Sequence, residues 1–261
     1  MIELLLIDFP PISPIAFQWG TIAIHWYGIM YLLSFILIYI ALSKSKLKLT
    51  QAEITDYIFY AALGVVIGGR LGYVLFYNLG YYYHNPLEVI ALWQGGMSFH
   101  GGFIGVVAAT YLFCRNYKIT FSGLADYVVM FVPFTLALGR IGNFINAELY
   151  GRLSTLPWAI QFPTASGYRH PAQLYEALLH IIVGILLLRI HRFTAKPWLR
   201  TALFLLFYSI IRIVVECFRE PDRQIGLIGG IITMGQILTF PILVFAIVWI
   251  LQLSRKTDGR G

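Results

Sequence analysis

The chain has 261 residues, of which 59% are hydrophobic and only 12% charged, and its mean hydropathy is +0.74. A soluble domain carries about twice that charged share, so an ordinary water-soluble enzyme or binding module is excluded. The apolar runs are long enough for membrane-spanning helices instead of barrel strands, and the placement of the cations behind the net charge of +7 argues against a nucleic-acid partner.

In chain order, residues 1–19 are proline-rich and amphipathic and suit a position along a bilayer interface. The opening Met1 to Pro11 lacks a basic region and reads as no cleavable leader. A first span is expected over 20–42, beginning with His25, Tyr27 and Gly28, and a second over 53–77. Gly64, Gly68 and Gly72 recur there every fourth residue and allow a close helix crossing. Tyr81, Tyr82, Tyr83 and Trp93 give 78–96 the composition of an aromatic belt. The third span, 97–114, opens with Gly95-Gly96-Met97-Ser98-Phe99-His100-Gly101-Gly102, and the fourth, 121–141, ends at Arg140. Residues 142–171, with Pro157, Trp158, Pro163 and Gly167, form the longest connection and are expected to fold as a small cap. Spans five to seven are placed at 172–190, 199–218 and 229–252, near the ~20 residues needed to cross a bilayer. The fold class is therefore all-α, a single membrane domain with seven transmembrane helices.

Twelve of the nineteen Lys and Arg follow the first, third, fifth and seventh spans. The positive-inside rule then puts the C-terminus in the cytoplasm and the N-terminus outside. The other seven are all arginines: Arg70, Arg140, Arg152, Arg169, Arg212, Arg219 and Arg223. Arginine's planar fork grips phosphate through two parallel bonds, so a lysine-free outer face suits phospholipid headgroups. Cys114 and Cys217 fall at opposite ends of the membrane in this arrangement and are expected to stay unpaired.

Arg70, Arg140 and Arg212 sit inside or at the rim of apolar runs, where a charge costs at least ~2.5 kcal/mol and marks a protein-lined or wet site. Arg140 precedes Asn143, Asn146 and Glu148, which supply amide donors, acceptors and a carboxylate. Gly69-Arg70-Leu71-Gly72 repeats Gly139-Arg140-Ile141-Gly142, a cation between glycines that permit close approach. Tyr208, Arg212, Glu216 and Arg219 are spaced to share one helical stripe, with Arg212 and Glu216 as a pair. His100, flanked by glycines, is a candidate general base. Tyr27 could touch a headgroup, although interfacial tyrosines are common. Gln173 and Glu176 share a face at the start of the fifth span, and capping or packing explains them at least as well as substrate contact. The sequence contains no metal-ligand spacing, no nucleotide-binding glycine loop and no nucleophile elbow, so neither a cofactor nor a metal is expected. Direct transfer between two bound substrates is favoured.

Gly139 through Arg152 resembles the defining motif of the bacterial phosphatidylglycerol–prolipoprotein diacylglyceryl transferases. Met97 to Gly102, His170 to Glu176, Arg212 to Glu216 and Phe218 to Asp222 are similar to that family's other blocks, so the likeness runs from about Tyr27 to Gln236. The resemblance implies a multi-pass protein of the bacterial inner membrane, with its site open to the outer leaflet. Its partners would be phosphatidylglycerol and a prolipoprotein signal peptide with a lipobox cysteine. The peptide would bring the nucleophile, His100 would accept its proton or orient the group that does, the arginines could also lower the thiol pKa directly, and Arg140 and Arg212 would neutralise the leaving phosphate. A lipid carrier would also employ outer arginines and buried Arg–Glu pairs, but its cations would gather at the midplane between repeated halves. A scaffold for secretion has no use for the arginine–asparagine–glutamate cluster.

Overall fold

The computed structural model describes residues 7–192, 196–221, 227–229 and 231–258. The first six residues of the interfacial run expected over 1–19, and the outer arginine Arg223, lie outside them. The chain is mostly helical. Among the described residues, four helices are long and apolar enough to cross a membrane: α1 (Trp26–Ser43), α2 (Gln51–Tyr77), α7 (Ala172–His191) and the greater part of α9 (Met234–Asp258). A fifth arises if α5 (Phe121–Val128) and α6 (Val132–Ile145), bent by 43° at their junction, count as one span. The remaining long helices, α4 (Phe99–Tyr117) and α8 (Leu199–Glu216), are more polar; α8 alone carries Arg200, Arg212 and Glu216. The chain divides into two compact units, Ile38–Ala125 and a second built from Met1–Leu37 with Asp126–Gly261.

In the first unit, α2 starts at a capping box: Thr50 Oγ1 accepts from Glu53 N, and the Glu53 carboxylate accepts from Thr50 N. This satisfies two end donors reciprocally. α2 packs on α4 along a glycine seam. A Cβ at Gly72 would stand 2.7 Å from Gly101 Cα, and one at Gly64 would stand 2.6 Å from the Gly105 carbonyl. The fourfold glycine repeat is thus a helix crossing with no room for side chains. Between the two helices run α3 (Leu79–His84) and two 3-10 turns, Pro86–Ile90 and Leu92–Gln94.

In the second unit, α6, α7, α8 and α9 pack in sequence order. Their core gathers Met130, Val183, Leu187, Phe204, Ile211 and Val215. The first turn of α8 lacks a capping side chain of its own, because Trp198 fills the N-cap position at φ +67°. Buried Asp126 supplies the cap from α5, accepting from Thr201 N at 2.9 Å and Thr201 Oγ1 at 2.6 Å. A carboxylate there also complements the helix dipole.

Several expected boundaries shift. Residues 20–25 were assigned to the first span but form a hairpin, β2 (Ile15–Trp19) and β3 (Ile22–His25), turning at Gly20 with φ +59°. The fourth span is broken before Pro133, a residue that lacks the N–H an interior helical turn requires. α6 then runs to Ile145, so Arg140 is inside the helix and the connection begins at 146. That connection is folded: β4 (Ile160–Gln161) pairs parallel with β1 (Ile7–Asp8) and antiparallel with β5 (Tyr168–Arg169), over a core of Ala147, Ile160 and Phe162. Before α9, β6 (Leu227–Ile228) and β7 (Ile232–Thr233) make a short hairpin where the seventh span was expected to begin.

Candidate functional site

The last turns of α6 and the loop after it form one hydrogen-bonded knot. Arg140 Nη1 donates to Asn143 Oδ1 at 3.1 Å, and Asn143 Nδ2 donates to Glu148 Oε1 at 2.8 Å. Asn146 Nδ2 reaches the same oxygen at 3.3 Å. The chain doubles back to allow this, with Ala147 at φ +53° and Leu149 at φ +58°. Left-handed backbone costs a non-glycine residue roughly 1–2 kcal/mol, which the Glu148 contacts and the Glu148 N to Asn143 O bond of 3.0 Å offset. Gln173, at the start of α7, closes the knot by donating Nε2 to Glu148 O at 2.6 Å. Glycine at 142 lets Tyr27 of α1 lie against α6, since a Cβ there would stand 2.9 Å from the tyrosine ring.

Glu176 connects this knot to α8. Glu176 is 3% exposed, and its Oε1 lies 2.9 Å from Arg140 Nη2. Oε2 lies 3.8 Å from Arg212 Nη1, beyond hydrogen-bond reach, so that N–H remains available to another acceptor. Arg212 Nη2 pairs with Glu216 Oε2 at 3.1 Å, as the spacing of four predicts. His180, one turn beyond Glu176, stands 3.7 Å from Oε1 and stacks on Tyr208 with ring centroids 6.1 Å apart. Gly235 of α9 gives the second pair room: a Cβ would sit 2.9 Å from Glu216 Oε1.

The two guanidiniums thus converge on one carboxylate while their side chains stay 24% and 15% exposed. Arg140 has five N–H donors, and two are engaged among the described residues. The free donors form a fork suited to a phosphate. Asn143, Asn146, Glu148, Tyr208 and Glu216 bond to these arginines or to their partners or stack beside them, and Tyr27 packs against Gly142 of α6. Glu176, for which packing and substrate contact were both open, links the two arginines. His180 and Gly235 were missed; the i,i+4 spacing from Glu176 was a usable signal for the histidine, and nothing in the sequence marks the glycine.

One anticipated placement is corrected, that of Arg219. Arg219 does not share the stripe of Tyr208, Arg212 and Glu216, because α8 ends at Glu216 and Arg219 instead forms a β-bridge with Gly151. That bridge, with Arg152 Nε donating to Arg219 O at 3.0 Å and Arg169 Nη1 to Glu220 Oε2 at 3.0 Å, ties the folded connection to the end of α8. Arg70, read as a ligand for an anion, is 3% exposed and points its fork at main-chain carbonyls, which leaves little to offer a phosphate. His100, in the first turn of α4, is exposed and touches the Phe99 ring edge-on.

Residues 14–252 match the family model described as prolipoprotein diacylglyceryl transferase. The chain is 45% identical to the phosphatidylglycerol–prolipoprotein diacylglyceryl transferase of Geobacter sulfurreducens, over 97% of its own length and 99% of that protein's. It is similarly 45% identical to the transferases of Bordetella avium, over 97% and 99% of the two lengths, and of Legionella pneumophila, over 96% and 100%.

Proposed function

Since the chain belongs to the prolipoprotein diacylglyceryl transferase family, we propose that it moves the diacylglyceryl group of phosphatidylglycerol to the lipobox cysteine of a prolipoprotein. A carbon–sulfur bond forms at the glyceryl carbon, the carbon–oxygen bond to the phosphate breaks, and glycerol 1-phosphate leaves. The observation that carries this reading is the convergence of Arg140 and Arg212 on Glu176, which holds two cationic forks ready for one anion.

A phosphate ester at an sp3 carbon departs slowly unless its growing charge is neutralised. Donors fixed before the reaction, in a pocket that excludes water, stabilise that charge without reorganising. Arg140 presents its free N–H groups while Asn143 and Glu176 hold its plane. Arg212 is held by Glu216, and its buried Nη1 has no hydrogen-bond acceptor among the described residues. Asn146 has an amide oxygen without a partner among the described residues, suited to a glycerol hydroxyl, and Glu148, Tyr27 and Tyr208 complete the substrate contacts. The attacking thiol ionises near pH 8.5, so a base is needed at neutral pH. His100 takes that proton; its glycine-flanked, exposed ring at a helix start supports the assignment.

The distribution of lysines and arginines supports seven spans, an outside N-terminus, a cytoplasmic C-terminus and an inner-membrane site facing the outer leaflet. Residues 142–171 then cap the outer side. The direct test incubates the purified protein with phosphatidylglycerol and a lipobox peptide and follows the peptide by mass spectrometry. A thioether-linked diacylglyceryl adduct with stoichiometric glycerol phosphate supports the reaction. Lipid movement without an adduct would refute it.

A further inference from the structure

Arg70 belongs to α2, in the unit of Ile38–Ala125, together with the segment leading to His100. Its Nε donates to Val89 O at 2.7 Å and its Nη2 to Glu88 O at 2.7 Å. Its Nη1 donates to Gly95 O at 2.5 Å and Gly96 O at 3.3 Å. The carbonyls of Glu88 and Val89 lie in the last turn of the first 3-10 segment, where Glu88 O also accepts from Ala91 N at 3.0 Å, and those of Gly95 and Gly96 follow the second. One planar fork therefore ties together the ends of both turns, a task beyond a single ammonium. The Tyr82 ring lies 5.2 Å from the guanidinium and supports its cationic face. The neighbouring residue continues the hold: Gly69 O accepts from Ser98 N at 2.8 Å, and Ser98 Oγ then caps α4 by accepting from Gly101 N at 3.2 Å. His100 has no hydrogen bond to its ring among the described residues, so the backbone of that first turn sets where the imidazole stands.

We propose that Arg70 is a positioning residue: by gripping the carbonyls of Glu88, Val89, Gly95 and Gly96 it fixes the approach to α4 and with it the place of His100. In its functional half this rests on the reading of His100 as proton acceptor. It departs from the phosphate-binding role that the Gly-Arg-Leu-Gly sequence suggested, because the same fork cannot serve a lipid anion while it holds the loop.

The test uses the full-length protein in micelles containing phosphatidylglycerol, with Arg70→Lys, His100→Asn and the double variant. Arg70→Lys is expected to speed amide exchange across residues 86–98 and to lower kcat roughly ten- to a hundredfold, the scale of a small misplacement of a reacting group. The KM for phosphatidylglycerol stays unchanged. In the His100→Asn background the same substitution costs less than about twofold more, because both act through one imidazole. A raised KM with kcat intact, a full multiplicative loss in the double variant, or unaltered exchange overturns the proposal. If His100→Asn alone keeps the wild-type kcat, the proton-acceptor reading falls and the functional half with it, while the exchange data still decide whether Arg70 holds the loop. Should Arg70→Lys fail to fold, Tyr81→Phe removes only the exposed 2.7 Å bond to the Glu88 side chain on the same loop. It should then give the same signature more weakly, and wild-type exchange and kcat in that variant refute the idea.

Discussion

Replacing Arg140 by alanine tests the phosphate grip most directly. Two charge-assisted bonds to a departing phosphate contribute about 1.5–3 kcal/mol each, so their loss amounts to roughly 3–6 kcal/mol, or about 10²- to 10⁴-fold in kcat/KM. The structure also predicts that the variant stays folded. Glu176 keeps His180 at 3.7 Å and Arg212 at 3.8 Å, and Asn143 keeps Glu148 at 2.8 Å. The buried carboxylate is therefore not orphaned, and the stability loss should fall well below the ~3–5 kcal/mol that follows when a buried charge loses its only partner. Arg140→Lys retains the charge without the fork and should recover at most about tenfold. Transfer of labelled diacylglyceryl groups to a lipobox peptide, paired with a thermal melt, reads both quantities. Full transfer by a folded Arg140→Ala protein would refute the phosphate-grip argument.

Other expectations follow from neighbouring contacts. Glu176→Gln leaves two guanidiniums facing each other without their common counter-charge; it should lower stability by about 3 kcal/mol in a denaturation series and reduce transfer at least as much as Arg212→Ala. In Gly235→Ala the new methyl meets only the tips of Glu216 and Arg212, which can shift, so the melt should hold while kcat drops roughly tenfold, less than the ~10²-fold cost of a full 1 Å misplacement. An unchanged kcat would show that the Arg212 position is not critical. Burial holds the His170 imidazole below its ordinary pKa. Protonation then favours the unfolded chain, so the stability contributed by His170 is complete above about pH 6.5 and declines as the pH falls through the folded value. The melting temperature of His170→Gln should vary less than that of wild type between pH 7 and 5, and parallel curves would count against this assignment.

Much of the site was legible because it is local. Arg140, Asn143 and Glu148 lie within nine residues, and their mutual bonds follow from that closeness. The Arg212–Glu216 pair follows from helical spacing. The link through Glu176 is long-range, and no periodicity announces which of several polar residues on α7 faces two other helices. Arg70 and Arg140 share the same glycine-flanked pattern, yet one fork meets carbonyls of a loop and the other meets side chains. That difference depends on the path of residues 85–96, which the pattern does not encode. Fold boundaries failed where composition is uninformative: Ile22 to Ile24 continues the apolar run of α1, and Val129 to Phe131 is as apolar as the helices it separates. Length and apolar character located the helices; interruptions governed by backbone geometry escaped notice.

Glu176 also bears on turnover. A pocket with two unopposed cations would draw glycerophosphate off a lipid and then retain it, since the freed product carries more negative charge than the diester it came from. A carboxylate already seated between Arg140 and Arg212 is a built-in rival for those same donors. In the proposed reaction each cycle would end with this internal anion reclaiming its partners, which would ease the product out and ready the two arginines for the next lipid.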